Sequence, residues 1–152
     1  ELLKVSEIYL NGINVNTEIR SMEVSNTVSR VATVPEIRQQ LVALQQQMGA
    51  QKGIVMDGRD IGTVVFPDAE LKLFMTSSAN TRAQRRFDEL IESGALVTFE
   101  DVLENITSRD YLDSTREDSP LFKATDAIEI DNSNLSLDQQ FDKVLALVAS
   151  KL

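Results

Sequence analysis

Three groups of residues in this sequence have the types and spacing to do chemistry. Asp57-Gly58-Arg59-Asp60 sets two carboxylates beside a guanidinium on a glycine-containing turn. Such a turn can bind a phosphate, a metal or the edge of a base; a tight turn closed by a local Arg–Asp ion pair is the plain alternative. Arg109, Asp113 and Arg116 fall at i, i+4 and i+7, which puts them on one helix face. There the Asp can accept from ribose hydroxyls while each Arg forks onto phosphate oxygens. A solvated face with salt bridges worth about a few tenths of a kcal/mol competes with that reading. Arg82, Arg85 and Arg86 place three cations within five residues. They repel one another unless a polyphosphate, or nearby Asp88, Glu89 and Glu92, neutralises them. Nothing local sets Ser29 and Arg38 apart; a capping Ser and an exposed helix Arg are their plain readings.

The absences narrow the chemistry. The chain has 152 residues and no Cys, His or Trp. Thiol nucleophiles, zinc–thiolate sites, disulfides and a Ser-His-Asp triad are excluded. The net charge of −9 argues against a nucleic-acid partner, which needs a basic surface. Arg nonetheless outnumbers Lys nine to six, which suggests guanidinium groups placed for an anion. No apolar run approaches the ~20 residues of a membrane span. Glu1-Leu2-Leu3-Lys4 does not read as a signal peptide, so the expected location is the cytoplasm.

The elements that must position these groups read as alternating strands and helices. Asn11-Gly12 between Glu7–Leu10 and Ile13–Val15 predicts a hairpin, because both turn positions favour positive φ. The spacing predicts a helix over 19–31. A second helix starts at Pro35, buries a stripe of Ile37, Leu41, Leu44 and Met48, and stops at Gly49. Ile54-Val55-Met56 predicts a fully buried strand, 59–68 a loop, and Leu71–Met75 a second strand. Ser78 caps a helix with Ala83, Phe87, Leu90 and Ile91 inward, ended by Gly94. Thr98 with Asp101, and Ser136 with Gln139, predict capping boxes. The first opens a helix burying Val102, Leu103 and Ile106. The second opens one burying Phe141, Val144, Leu145 and Val148. Ala127–Asp131 predicts a third strand. This is an α/β layer pattern with a parallel sheet, but three short strands are few for so many helices.

The string from Asp57 through Asp60-Ile61-Gly62-Thr63-Val64-Val65-Phe66-Pro67-Asp68 to Ala69 is long and specific. It resembles the signature loop of bacterial cytidylate kinases, the (d)CMP kinases of the P-loop nucleoside monophosphate kinase fold. The likeness extends through Ile19-Arg20, Glu23-Val24-Ser25, Arg82-Ala83-Gln84-Arg85-Arg86, Arg109-Asp110, Ser119-Pro120-Leu121 and Asp131-Asn132-Ser133. It covers Ile8 to Leu152. The resemblance implies a three-layer parallel sheet flanked by helices, incomplete at its N-terminal side. Residues 1–152 then form one partial kinase domain, with about 1–50 a CMP-binding insert and about 51–152 the core and lid. It implies that Ser29, Arg38 and Asp60 read cytosine, with Asp60 accepting from the N4 amine that uracil lacks. Arg59, Arg109 and Arg116 hold the CMP phosphate and Asp113 takes the ribose hydroxyls. Arg82, Arg85 and Arg86 belong to the ATP lid. Arg85 is favoured, with Arg86 and Arg59, to stabilise the transferring phosphoryl group. ATP and Mg²⁺ are the implied co-substrate and ion, with Asp57 a partner to water on the ion rather than a direct ligand. The implied partners are CMP or dCMP and ATP, and the implied full-length state is a monomer.

The sequence departs from the family in one respect. No Gly-x-x-x-x-Gly-Lys-Ser/Thr occurs in it. The resemblance places that loop, a central strand between Ile54 and Leu71, and a Tyr-Arg pair ahead of Glu1, and makes Glu1–Glu7 shorter than its counterpart. The expectation is a part of a longer kinase, inactive and poorly folded alone. A non-catalytic domain keeping a CMP half-site is the alternative, and a structural domain with solvated Arg clusters a third.

Overall fold

The computed structural model describes residues 7–151, so most of the segment read as shortened lies outside the described residues. The predicted hairpin forms: β1 (Tyr9–Leu10) pairs antiparallel with β2 (Ile13–Asn14), Leu10 opposite Ile13. Asn11 and Gly12 take φ of 51° and 82°, as that turn requires. The helix read over 19–31 divides in two. A 3₁₀ turn (Glu18–Arg20) ends at Ser21, whose extended backbone and hydroxyl then cap α1 (Met22–Val31). Pro35 opens α2 (Pro35–Met48) and Gly49 closes it.

The stripe on α2 is not buried. Ile37, Leu41, Leu44 and Met48 are all exposed, Met48 at 67%. A 3.6-residue period marks an apolar face but does not supply the element that covers it, and among the described residues α2 packs chiefly on the turn at 61–65. Ile54–Met56 is corrected for the same reason. It joins no sheet among the described residues and Val55 is 98% exposed. An apolar tripeptide becomes a buried strand only when a neighbouring strand takes its backbone groups.

The segment expected to be a plain loop contains a π-helical turn (Ile61–Val65). Val65 N–H donates to Asp60 O (3.3 Å) and Phe66 N–H to Ile61 O (2.7 Å). Such a single π turn has no composition signature and is common at functional sites. Gln46 of α2 donates to Val65 O, and Gly49 faces the Phe66 ring so closely that a Cβ there would lie 2.4 Å from it.

β3 (Leu73–Thr76) and β4 (Ile128–Asp131) pair in parallel, Leu73 opposite Ile128 and Thr76 opposite Asp131, with Ile130 fully buried. Between them run α3 (Ala79–Glu92) and α4 (Phe99–Thr115), each capped where the sequence said. Ser78 accepts from Thr81 N–H, and Thr98 and Asp101 form a reciprocal capping box. The core lies between these helices: Ala83, Leu90 and Val102 are buried, with Phe87 edge-on to Phe99 at 6.2 Å. Burial of each such large side chain contributes about 1.5–3 kcal/mol. Ile91, expected inward, faces solvent. α5 (Leu137–Ala149) has its capping box. Val144 and Val148 are half-buried, whereas Phe141 and Leu145, expected inward, are exposed because no described element lies over them.

Candidate active site

Four arginines far apart in sequence meet at one place. Arg38 sits in the first turns of α2; Arg59 and Asp60 lead into the π turn; Arg109 and Asp113 lie on the last turns of α4. Arg116 is the residue at which α4 ends, not a helical position, with ψ of 146°. The chain then doubles back: Ser119 takes a φ of 50°, Leu121 N–H donates to Asp113 O, and Arg116 Nε donates to Ser119 O at 2.8 Å. That return folds Arg116 over Asp113, so the face expected from spacing is preserved past the end of the helix.

Two carboxylates bind the group together. Asp60 accepts from Arg38 in a short ion pair and lies 4.0 Å from Arg116 Nη2. Asp113 accepts from Arg116 Nη1 at 3.0 Å, and Arg59 Nε is 2.5 Å from its other oxygen, a charge contact without hydrogen-bond alignment. Asp118, half-exposed, comes to 3.8 Å from Arg38 Nε. Arg109 is held differently: its Nη1 donates to the neutral Ser25 hydroxyl at 3.2 Å.

Positive charge is in excess, and much of it is shielded from water, although the Arg59 side chain is 40% exposed. The side chains of Arg116 and Asp113 are each 6% exposed. Arg38 Nε, Arg109 Nε, Arg116 Nη2 and Asp113 Oδ2 are buried with no hydrogen-bond partner. Burial, and then the charge of Arg59, lowers the Arg109 pKa from its ordinary value; Asp113 and Asp110 oppose the shift. Burial, and then Arg38, does the same to Arg116 against Asp113 and Asp60. A guanidinium does not lose its proton near neutral pH, so the strain persists as unneutralised charge. An entering anion relieves it.

Arg82, Arg85 and Arg86 do not join this group as a set. Arg82 forms a two-pronged pair with Asp110 (3.0 and 2.7 Å) and donates to Ser77 O. Arg85 is exposed and donates to the side chain and carbonyl of Asn132, after the C-terminal end of β4. Arg86 pairs with Glu89 and donates to Arg20 O, and its charge reaches Arg109. Of the three acids available nearby, only Glu89 is used as foreseen; Asp88 accepts from Gln84. Ser29 lies within α1, but its side chain is outside the described residues.

Asp57 is exposed, and the described residues contain no cluster of three acidic groups able to hold a metal. Mg²⁺ accepts one or two carboxylates when substrate phosphates complete its shell.

Sequence reasoning gave no role to Ser25, Asn105, Asp110, Asp118 or the Ser119 carbonyl. Only Ser119 carried a usable signal, as the residue before Pro120 in a chain reversal. The others act across tens of residues.

The family model for cytidylate kinase matches residues 2–150. The chain belongs to the cytidylate kinase family. It is 64% identical over 146 residues to a cytidylate kinase of Flavobacterium johnsoniae, covering 96% of this chain and 64% of that protein. It is 61% identical over 146 residues to the cytidylate kinase of Flavobacterium psychrophilum, covering 96% and 65%. The Parabacteroides distasonis enzyme is 61% identical over 134 residues, 88% of this chain and 58% of its own length. The chain thus spans somewhat less than two thirds of the relatives it matches. The α/β pattern and the parallel β3–β4 pair agree with the family's fold. No helix of the described residues is long and apolar enough to cross a membrane.

Proposed function

We propose that the protein carrying this chain transfers the γ-phosphoryl group of ATP to CMP or dCMP, giving ADP and CDP or dCDP. The observation that carries this reading is the excess of guanidinium around Asp60 and Asp113, buried at Arg38 and Arg116 and open to solvent at Arg59. A nucleoside monophosphate matches it part by part. Its dianionic phosphate takes the donors of Arg59, Arg109 and Arg116, which Asp113 only partly neutralises. Asp113, released in part, accepts from the ribose hydroxyls. Asp60 accepts from the cytosine N4 amine while Arg38, with Ser29, donates to N3 and O2.

The reaction needs no base or nucleophile from the protein. A phosphate oxygen of CMP attacks the γ-phosphorus, the bond to the β-phosphate oxygen breaks, and ADP leaves. Positioning and charge stabilisation carry such a transfer. Arg59 faces the acceptor phosphate, and Arg85, Arg86 and Arg82 supply the lid side. Magnesium, when bound with ATP, neutralises phosphate charge. Residues of about 1–50 act as the CMP-binding insert and about 51–152 as the core and lid of a cytoplasmic monomer.

The test is ADP release in a coupled assay on the full-length protein, with CMP, dCMP and UMP as acceptors, and on this chain alone. Turnover with CMP and dCMP well above UMP supports the reading, with the chain alone expected to be inactive. The alternative is a non-catalytic domain that keeps the CMP half-site. CMP binding without ADP release by the full-length protein would establish that alternative, and neither binding nor turnover overturns both.

A further inference from the structure

Arg109 differs from its neighbours in what holds it. Arg38, Arg59 and Arg116 each contact a carboxylate. Among the described residues the hydrogen bond that orients Arg109 comes from a neutral group, the Ser25 hydroxyl on α1, 3.2 Å from Nη1. That hydroxyl donates in turn to Asn105 Oδ1 on α4 (3.1 Å), and Asn105 Nδ2 donates to Asn26 Oδ1 (2.5 Å). Every proton in this chain points away from Arg109. Ser25 has its one proton committed to Asn105, so a lone pair faces the guanidinium. Asn105 has its amide nitrogen committed to Asn26, so its oxygen faces Ser25. Bonds aligned in one direction polarise one another.

We propose that Ser25, oriented by Asn105, is a positioning residue. It aims Arg109 at the acceptor phosphate without neutralising it. An acid in its place would hold the guanidinium as firmly and cancel the charge that the phosphate needs. With Nη1 tied to Ser25, and Nε buried without a partner, the remaining donors of Arg109 stay free for an anion. Asp110, the next residue along α4, takes its hydrogen bonds from Arg82 and acts on Arg109 only through its charge. The inference rests on the reading of Arg109 as a phosphate ligand.

The test compares CMP with cytidine, which lacks the phosphate, in the full-length protein and in Ser25→Ala, Ser25→Thr, Ser25→Asp and Asn105→Leu. Loss of one oriented charge-assisted hydrogen bond should raise the KM for CMP about tenfold in Ser25→Ala. Cytidine affinity and kcat should each stay within about twofold to threefold. Thr should restore the KM, Asp should raise it at least as far as Ala, and Asn105→Leu should show the same split at smaller size. A Ser25→Ala KM within twofold of wild type overturns the proposal. Equal loss for CMP and cytidine also overturns it, because it marks a general packing role. Should Ser25→Ala fail to fold, Asn105→Leu against Ser25→Thr decides by the same criteria. Equal wild-type affinity for CMP and cytidine would sink the function reading itself and take this inference with it.

Discussion

Two arginine groups in this molecule, one of three residues and one of four, differ in their surroundings. Arg82, Arg85 and Arg86 are close in sequence, and each finds a separate partner of its own: Asp110, the Asn132 carbonyl, Glu89. Arg38, Arg59, Arg109 and Arg116 are scattered over the chain, yet they crowd around two carboxylates with donor atoms left over. The density of charge along a sequence therefore says little about where charge is unneutralised. Burial decides for Arg38 and Arg116, because a half-paired guanidinium at the surface is satisfied by water and a buried one is not; Arg59 is the member of its group that water still reaches.

The largest expected effect separates the two groups. Arg116→Ala should weaken CMP binding about thirtyfold or more, since hydrogen bonds to charged groups are worth about 1.5–3 kcal/mol. Lys should not restore it, because Arg116 bonds Ser119 and Asp113 through a planar fork. Arg85→Ala should leave CMP affinity within about twofold. Titration calorimetry on both variants checks this, and an Arg85 loss as large as that of Arg116 would erase the distinction.

A smaller effect sharpens the chemistry of the buried group. Asp60→Asn should lower the CMP-to-UMP affinity ratio about tenfold, the scale of one wrongly matched base edge. An unchanged ratio removes Asp60 as the reader of N4.

In the adjacent group, the Arg82–Asp110 pair should add little to stability. The Arg82–Asp110 pair joins α3 to α4 with both side chains about one-third exposed. Urea denaturation of Arg82→Ala, Asp110→Ala and the double variant should give a coupling of at most about 1 kcal/mol. A much larger coupling would show that this pair, too, is shielded.

The smallest effect lies at the start of α4, which carries Arg109 and Asp113 toward the buried group. Hydrogen bonds from the Thr98 side chain, then from its backbone, hold the Asp101 carboxyl below its ordinary pKa. A lowered folded value means that its contribution is present above the unfolded pKa of about 3.9 and is lost as pH falls through the lower folded one. Amide exchange in the first turn of α4, corrected for intrinsic rates, should quicken relative to the last turn as pH drops below about 4. Parallel behaviour of the two turns would show that the cap does not matter there.

What was legible in the sequence was local. Asn11-Gly12, Ser78, Thr98 with Asp101 and Ser136 with Gln139 each specify a turn or helix start within four residues, and each forms. What depended on a distant partner was not legible. The α2 stripe, Ile54–Met56 and Phe141 carry apolar patterns whose covering element is absent from the described residues. The site divides in the same way. Arg109, Asp113 and Arg116 could be grouped by helical spacing. Arg38 meets Asp60 across 22 positions, and Arg109 meets Ser25 across 84, distances at which no pattern in one sequence speaks. Resemblance brought Arg38 into the candidate set; it offered nothing for Ser25 or Asn105.

The central claim is that the buried arginine excess exists to take the phosphate of a cytosine nucleotide. Calorimetric titration of CMP and of cytidine into the full-length protein, at low and at raised salt, tests it most directly. The account expects CMP to bind at least about a hundredfold more tightly than cytidine, roughly two charge-assisted hydrogen bonds. The gap should narrow as salt competes for the guanidinium groups. Equal affinities, or a gap indifferent to salt, would contradict it.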